Sequence, residues 1–147
     1  MLRVRKLSEI EKVRSPKYLS LDDAAAFHGH RGPFLVIGYR AGRYGVKILR
    51  PETEFDLETE VHIPFKTPFS CILDGLQCAT KCTLGKKNIR CIDSKSIDII
   101  IINKKTKKKI EFILREEYLK KFLDGPIEKA VQISEKEELE KIFVIKK

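Results

Sequence analysis

The chain has 147 residues and a formal net charge of +9, with 42% hydrophobic and 35% charged side chains. That length suits one domain able to bury a core without metal or disulfide staples, and the composition excludes a disordered or fibrous chain. No run approaches the roughly eighteen consecutive apolar residues of a membrane span, and the charged opening MLRVRKLSEIEKVR lacks the apolar stretch of a signal peptide. The cytoplasm is therefore the expected location, where cysteines read as thiols or ligands rather than disulfides.

The positive excess lies at the two ends. Residues 1–20 hold six basic and two acidic side chains and residues 103–147 hold thirteen and nine, against eleven and ten between them. Residues 1–19 form a basic segment, and residues 20–147 read as a single domain. Abundant Lys, Glu and Ile with one Met and no Trp is a bias common in proteins of hot-growing organisms.

Along the chain, Ser20 with Asp23 has capping-box spacing and opens a short helix to Phe27. Gly29 and Gly32 break it, and Pro33 suits the first turn of a second helix running to about Leu49. Phe34, Ile37, Ala41 and Ile48 share a face of that helix, and Gly38, Gly42 and Gly45 make a narrow side for close packing. Leu57 to Ile63 alternates as a strand with His62 on its polar side. Residues 73–83 read as a short helix, followed by strands at about 88–93, 96–103 and 108–115. The lysine-rich run 104–109 is expected to be a solvated hairpin tip. Glu116 to Leu123 is helical, Gly125-Pro126 breaks the chain, Ser134 with Glu137 opens a last helix, and Phe143 to Ile145 closes as a strand. The class is α+β: N-terminal helices packed on a mostly antiparallel sheet, with C-terminal helices.

The scarce side chains cluster in two segments. His28 and His30 flank Gly29 in a turn, and Cys71, Cys78 and Cys82 lie on or beside the 73–83 helix. Imidazole and thiolate hold zinc and other borderline-soft metals. Against that, buried helical cysteines are usually small hydrophobes; Cys78 reads so, and Cys91 reads as core packing within its strand. There is neither a Cys-x-x-Cys pair nor a Walker motif.

Three blocks recur in order. They are Phe27-His28-Gly29-His30 with Pro33 and Gly38-Tyr39-Arg40-Ala41; Cys71 with Asp74-Gly75-Leu76-Gln77; and Cys82-Thr83-Leu84-Gly85-Lys86 with Asn88. Together with the closing Leu139 to Val144, they resemble the FmdE family, whose members are a small subunit of molybdenum or tungsten formylmethanofuran dehydrogenase and proteins like it. The resemblance covers roughly residues 20–145. It implies an α+β domain that forms a homodimer and holds a metal, usually zinc, through His28, His30, Cys71 and Cys82. Asp74, Cys78, Thr83, Lys86 and Asn88 would belong to the same pocket. Two departures stand out: Gly32 occupies the place of a usual family cysteine, and Lys81 and Lys87 replace two usual glycines.

The implied role is that of a metal-binding accessory or coupling subunit, with other subunits of a formylmethanofuran dehydrogenase-like complex as partners and catalysis residing elsewhere. Nothing in the residues suggests a pterin site. Two alternatives stay open. One is a metal-free redox thiol protein, with Lys81 and Lys86 lowering a thiol pKa near Cys71, Cys78 or Cys82. The other is a module whose basic ends bind nucleic acid or another anionic partner, the less favoured of the two. No membrane association is expected, and the sequence assigns no catalytic residue.

Overall fold

A computed structural model describes residues 4–15 and 18–147. In chain order it comprises α1 (Leu7–Glu11), α2 (Leu21–His28), α3 (Pro33–Leu49), β1 (Leu57–Ile63), α4 (Cys71–Thr80), a 3-10 turn (Leu84–Lys86), β2 (Ile89–Asp93), β3 (Asp98–Asn103), β4 (Lys109–Leu114), α5 (Glu116–Leu123), α6 (Ile127–Lys136), α7 (Leu139–Ile142) and β5 (Phe143–Lys146). The sheet order is β2-β1-β3-β4-β5. Only β1 and β2 run parallel, joined through α4; the other neighbours are antiparallel. The fold is α+β.

Strand alternation decides which sheet face is covered. Leu57, Thr59, Val61 and Ile63 of β1, Ile99 and Ile101 of β3, and Ile110 and Phe112 of β4 are buried beneath the helices. Their neighbours Glu58, Glu60, His62, Asp98, Ile100 and Glu111 face the other way and are half-buried. Burying about eight such side chains supplies tens of kcal/mol of gross hydrophobic driving force, most of it offset by chain entropy.

The helix layer is built on α3 and α4, which approach closely because glycines line the contact. A Cβ on Gly75 would fall 2.6 Å from the Tyr39 backbone nitrogen, and one on Gly42 would fall 2.6 Å from the Ala79 methyl. Gly38 meets the Ile72 backbone in the same way, while Gly45 admits the Ile101 side chain. Close packing is thus the role of the α3 glycines, as their spacing predicts.

The cap at Ser20 forms in full: its Oγ accepts from Asp23 N at 3.0 Å, and Ser20 N donates back to the Asp23 carboxylate at 3.0 Å. Gly29, at φ 111°, ends α2 in a left-handed turn that favours glycine. The β3–β4 hairpin carries its lysines exposed at the tip, with buried Asn103 donating to Leu49 O at 2.9 Å and tying the hairpin to the end of α3.

The C-terminal region differs from the sequence expectation. Ser134 does not open a helix; it lies buried inside α6, with its hydroxyl donating to Val131 O at 2.6 Å. The break at Gly125-Pro126 instead places Pro126 at the N-cap of α6, and the last helix starts after Glu138.

Candidate functional site

Asp74 sits in the first turn of α4 and His28 at the last residue of α2. Because Gly75 and Gly38 allow α4 to press on α3, Asp74 is carried to the end of α2. His28 Nδ1 lies 2.6 Å from Asp74 Oδ2. The His28 side chain is 10% exposed, and its Nε2 is buried with no hydrogen-bond partner among the described residues. An orphaned buried ring nitrogen costs on the order of 1–3 kcal/mol. A ring held by a carboxylate through one nitrogen, with the other left without a partner, is the arrangement of a metal-ligating histidine.

His30 stands beside it, the two ring centroids 4.7 Å apart and tilted by 47°. The turn between them is pinned by Arg31, which donates to Glu135 of α6 at 2.9 Å and also pairs with Asp22.

Two chambers adjoin at His28 and Cys71, which line both. The larger, of about 410 Å3, lies between α4, the 64–70 loop and β2, with Asp74, Gln77 and Cys91 in its wall. The smaller, of about 230 Å3, is bounded by His30, Gly32, Phe34, Leu123 and Ile127. His28, His30, Cys71 and Asp74 are therefore neighbours in space, although two segments of sequence supply them.

Cys82 is elsewhere. It is fully buried in the core and lines neither chamber. Lys81 caps α4 in a left-handed conformation (φ 63°), and the chain then turns so that Cys82 faces inward toward Thr59 and Thr80. Its backbone N–H donates to Thr80 Oγ1 at 3.0 Å. Cys78 is buried and borders a separate pocket with Thr83 and Lys86.

Thr83, Lys86 and Asn88 brace the turn after α4. Asn88 Oδ1 accepts from Thr83 N at 2.8 Å, and its amide donates to Glu54 O at 3.0 Å. Lys86 Nζ donates to Thr83 Oγ1 at 2.8 Å. None of the three lines either His28 chamber. Cys91 is half-buried, packs against the core as its strand position suggests, and also lines the larger chamber. Its strand β2 is at the sheet edge, where the helix cover thins.

Burial pushes all four thiols up. Asp74 adds to the effect at Cys71 and Cys78, Asp93 adds to it at Cys91, and at Cys82 burial outweighs the lowering by Thr59, Thr80 and Lys86. Lys81, expected to activate a thiol, donates instead to Ser15 O at 3.0 Å and covers the Tyr18 ring.

His28, His30 and Cys71 border the same small chamber, but among the described residues no three His, Cys, Asp or Glu side chains are grouped closely enough to hold an ion.

The family model described as FmdE, Molybdenum formylmethanofuran dehydrogenase operon, matches residues 27–145. The chain belongs to this family. The match begins one residue before His28, so both segments of the site fall within the FmdE domain. A curated relative, the "Probable S-adenosyl-L-methionine-binding protein" of Archaeoglobus fulgidus, is 28% identical over 100 residues. That alignment takes in 67% of this chain and 27% of the relative, so the chain spans about a quarter of the relative's length. Among the described residues, no helix is long and apolar enough to cross a membrane.

The two lysines that depart from the FmdE pattern both adopt positive φ, 63° at Lys81 and 61° at Lys87. These are positions where glycine carries no Cβ penalty, in keeping with the glycines that the resemblance implies there.

Proposed function

We propose that this chain is a metal-binding FmdE domain serving a formylmethanofuran dehydrogenase-type enzyme in an accessory or coupling role. It would act in the cytoplasm and hold zinc at the meeting point of α2 and α4. The observation that supports this reading is the state of His28: Nδ1 fastened to Asp74 at 2.6 Å and Nε2 buried without a partner among the described residues. His28 would hold the ion, with Cys71 and His30, which line the same small chamber, as further donors and Asp74 fixing the ring's tautomer and orientation. Cys82 has no part in that set. A zinc ion bound there would polarise a carbonyl oxygen or lower the pKa of a bound water.

The other readings draw less support. A redox thiol needs thiolate at neutral pH, whereas burial pushes each of these thiols up. The Archaeoglobus relative's name raises S-adenosyl-L-methionine as a ligand. Two charged groups in the larger chamber that could meet such a zwitterion are already engaged, Arg90 with Glu60 and Asp74 with His28. A second copy of the chain would fit the uncovered sheet face, where Ile100, Ile102 and Ile113 stay half-buried, and would give the homodimer.

Elemental analysis of protein purified without chelator tests the proposal. About one zinc per chain in the wild type, lost in His28→Ala, is the expected result; a wild type free of transition metal removes the reading.

A further inference from the structure

The cleft has a shape that a bound ion alone does not require. It extends to either side of His28 and Cys71 as two chambers, both lined mostly by apolar surface. The smaller is lined by Phe34, Phe122, Leu123 and Ile127, with His28, His30 and Cys71 as its polar side chains. The larger combines apolar walls from Leu73, Leu84 and Ile89 with the side chains of Thr67, Ser70 and Gln77.

Four large apolar side chains at the two mouths are left in water. Leu84 is 77% exposed and Phe65 65% at the larger chamber, and Ile127 is 57% exposed and Leu123 47% at the smaller. Apolar groups gathered around a concave polar centre mark a ligand site more than a bare surface does. The larger chamber, of about 410 Å3, has the volume of a small-molecule pocket, and the smaller, of about 230 Å3, adds to it.

Gly32 adds to the room. It lies in the wall of the smaller chamber, and a Cβ there would stand 3.5 Å from His30 Nε2, so its lack of a side chain leaves the space beside that ring open.

We infer that the cleft takes an elongated amphipathic small molecule, with an apolar end in the smaller chamber, a polar group against His28 and Cys71, and its remaining body in the larger chamber. The inference rests on the same centre as the proposed function, yet it needs only the chambers and the orphaned His28 Nε2, not the ion. Arg90 does not define an anion subsite, because its guanidinium is paired with Glu60.

The test is an NMR titration of the full chain, following backbone amides, with biphenyl-4-methanol as a two-chamber probe and benzyl alcohol as a one-chamber probe. The expected result is saturable binding of the longer probe, with shifts at both Ile127 and Cys91 and affinity about tenfold tighter than benzyl alcohol, the gain from burying a second ring. Ile127→Asp and Leu84→Asp, both at exposed positions that leave the core intact, should each weaken the longer probe about tenfold. Ile48→Asp, exposed on α3 and lining neither chamber, should not. Shifts confined to one chamber, equal affinities or non-saturable binding would overturn the inference.

Zinc content measured on the same sample separates the two ideas. Two-chamber binding by a zinc-free protein sinks the metal reading alone, and a zinc-loaded protein indifferent to the longer probe sinks this one alone.

Discussion

His28 Nδ1 and Asp74 Oδ2 lie 2.6 Å apart although 46 positions separate the two residues in the chain. What joins them is the α3–α4 contact. Gly38 and Gly75 let the two helix backbones touch, and Asp74 then reaches the C-terminal end of α2. Asp74→Asn keeps the shape of that side chain but removes the charge that favours Nδ1–H on His28. Zinc affinity should fall on the order of 10–100-fold, as for other carboxylates behind metal-bound histidines, with the thermal midpoint of the metal-free protein little changed. Competition against a chromogenic chelator measures it.

The glycine contact itself can be tested. Gly75→Ala drives a methyl into the α3 backbone, where neither partner can rotate away, and should cost about 3 kcal/mol or more. Gly85→Ala meets nothing within 4 Å and should stay within about 0.5 kcal/mol of the wild type. Urea unfolding of the two variants side by side gives the comparison.

The resemblance to FmdE proteins implies a cysteine at the place of Gly32, whose φ of −115° accepts any L-residue. Because a Cβ there would sit 3.5 Å from His30 Nε2, Gly32→Cys returns a thiol to the smaller chamber. Zinc should then bind at least about tenfold more tightly. The same side chain should narrow the chamber and weaken biphenyl-4-methanol.

The open sheet face gives a pH dependence separate from the site. Asp98 on β3 is pushed up to about 6 by burial and by its hydrogen bond and proximity to Glu111 on β4, against lowering by His62 on β1 and Lys146 on β5. The unfolded aspartate titrates near about 4. The folded state thus keeps a proton that the unfolded chain has already lost, and stability falls as pH rises from about 4 to about 6. Removing the titration with Asp98→Asn should flatten that slope. The melting temperature of the wild type relative to the variant should drop by on the order of a degree or two between pH 4.5 and 7, a modest size for a partly solvated group.

Much of the fold is legible in the residues because local chemistry and tertiary packing agree. The Ser20–Asp23 cap, the α3 glycines, the alternation of β1 and the lysine-tipped hairpin each have one physical reading. Ser134 and Glu137 misled because their spacing copies a helix start while the serine actually donates within α6. The site was legible in part. His28 meets Asp74 and stands beside His30, and Cys71 lines the same chambers as His28, but Cys82 lies in the core and Cys91 borders the cleft as well as the core. Cys82 follows a left-handed residue that turns it into the core, and Cys91 lies on an edge strand whose inner face opens on the cleft. Neither fact is local to the residue concerned.

Zinc held at His28 with Cys71 beside it, and a Cys82 that only fills the core, make opposite demands on the two cysteines. Zinc stoichiometry of Cys71→Ala and Cys82→Ala, purified identically to the wild type, tests that arrangement most directly. About one zinc per chain is expected in the wild type and in Cys82→Ala, with little or none in Cys71→Ala. Zinc retained by Cys71→Ala and lost from a folded Cys82→Ala would contradict that arrangement.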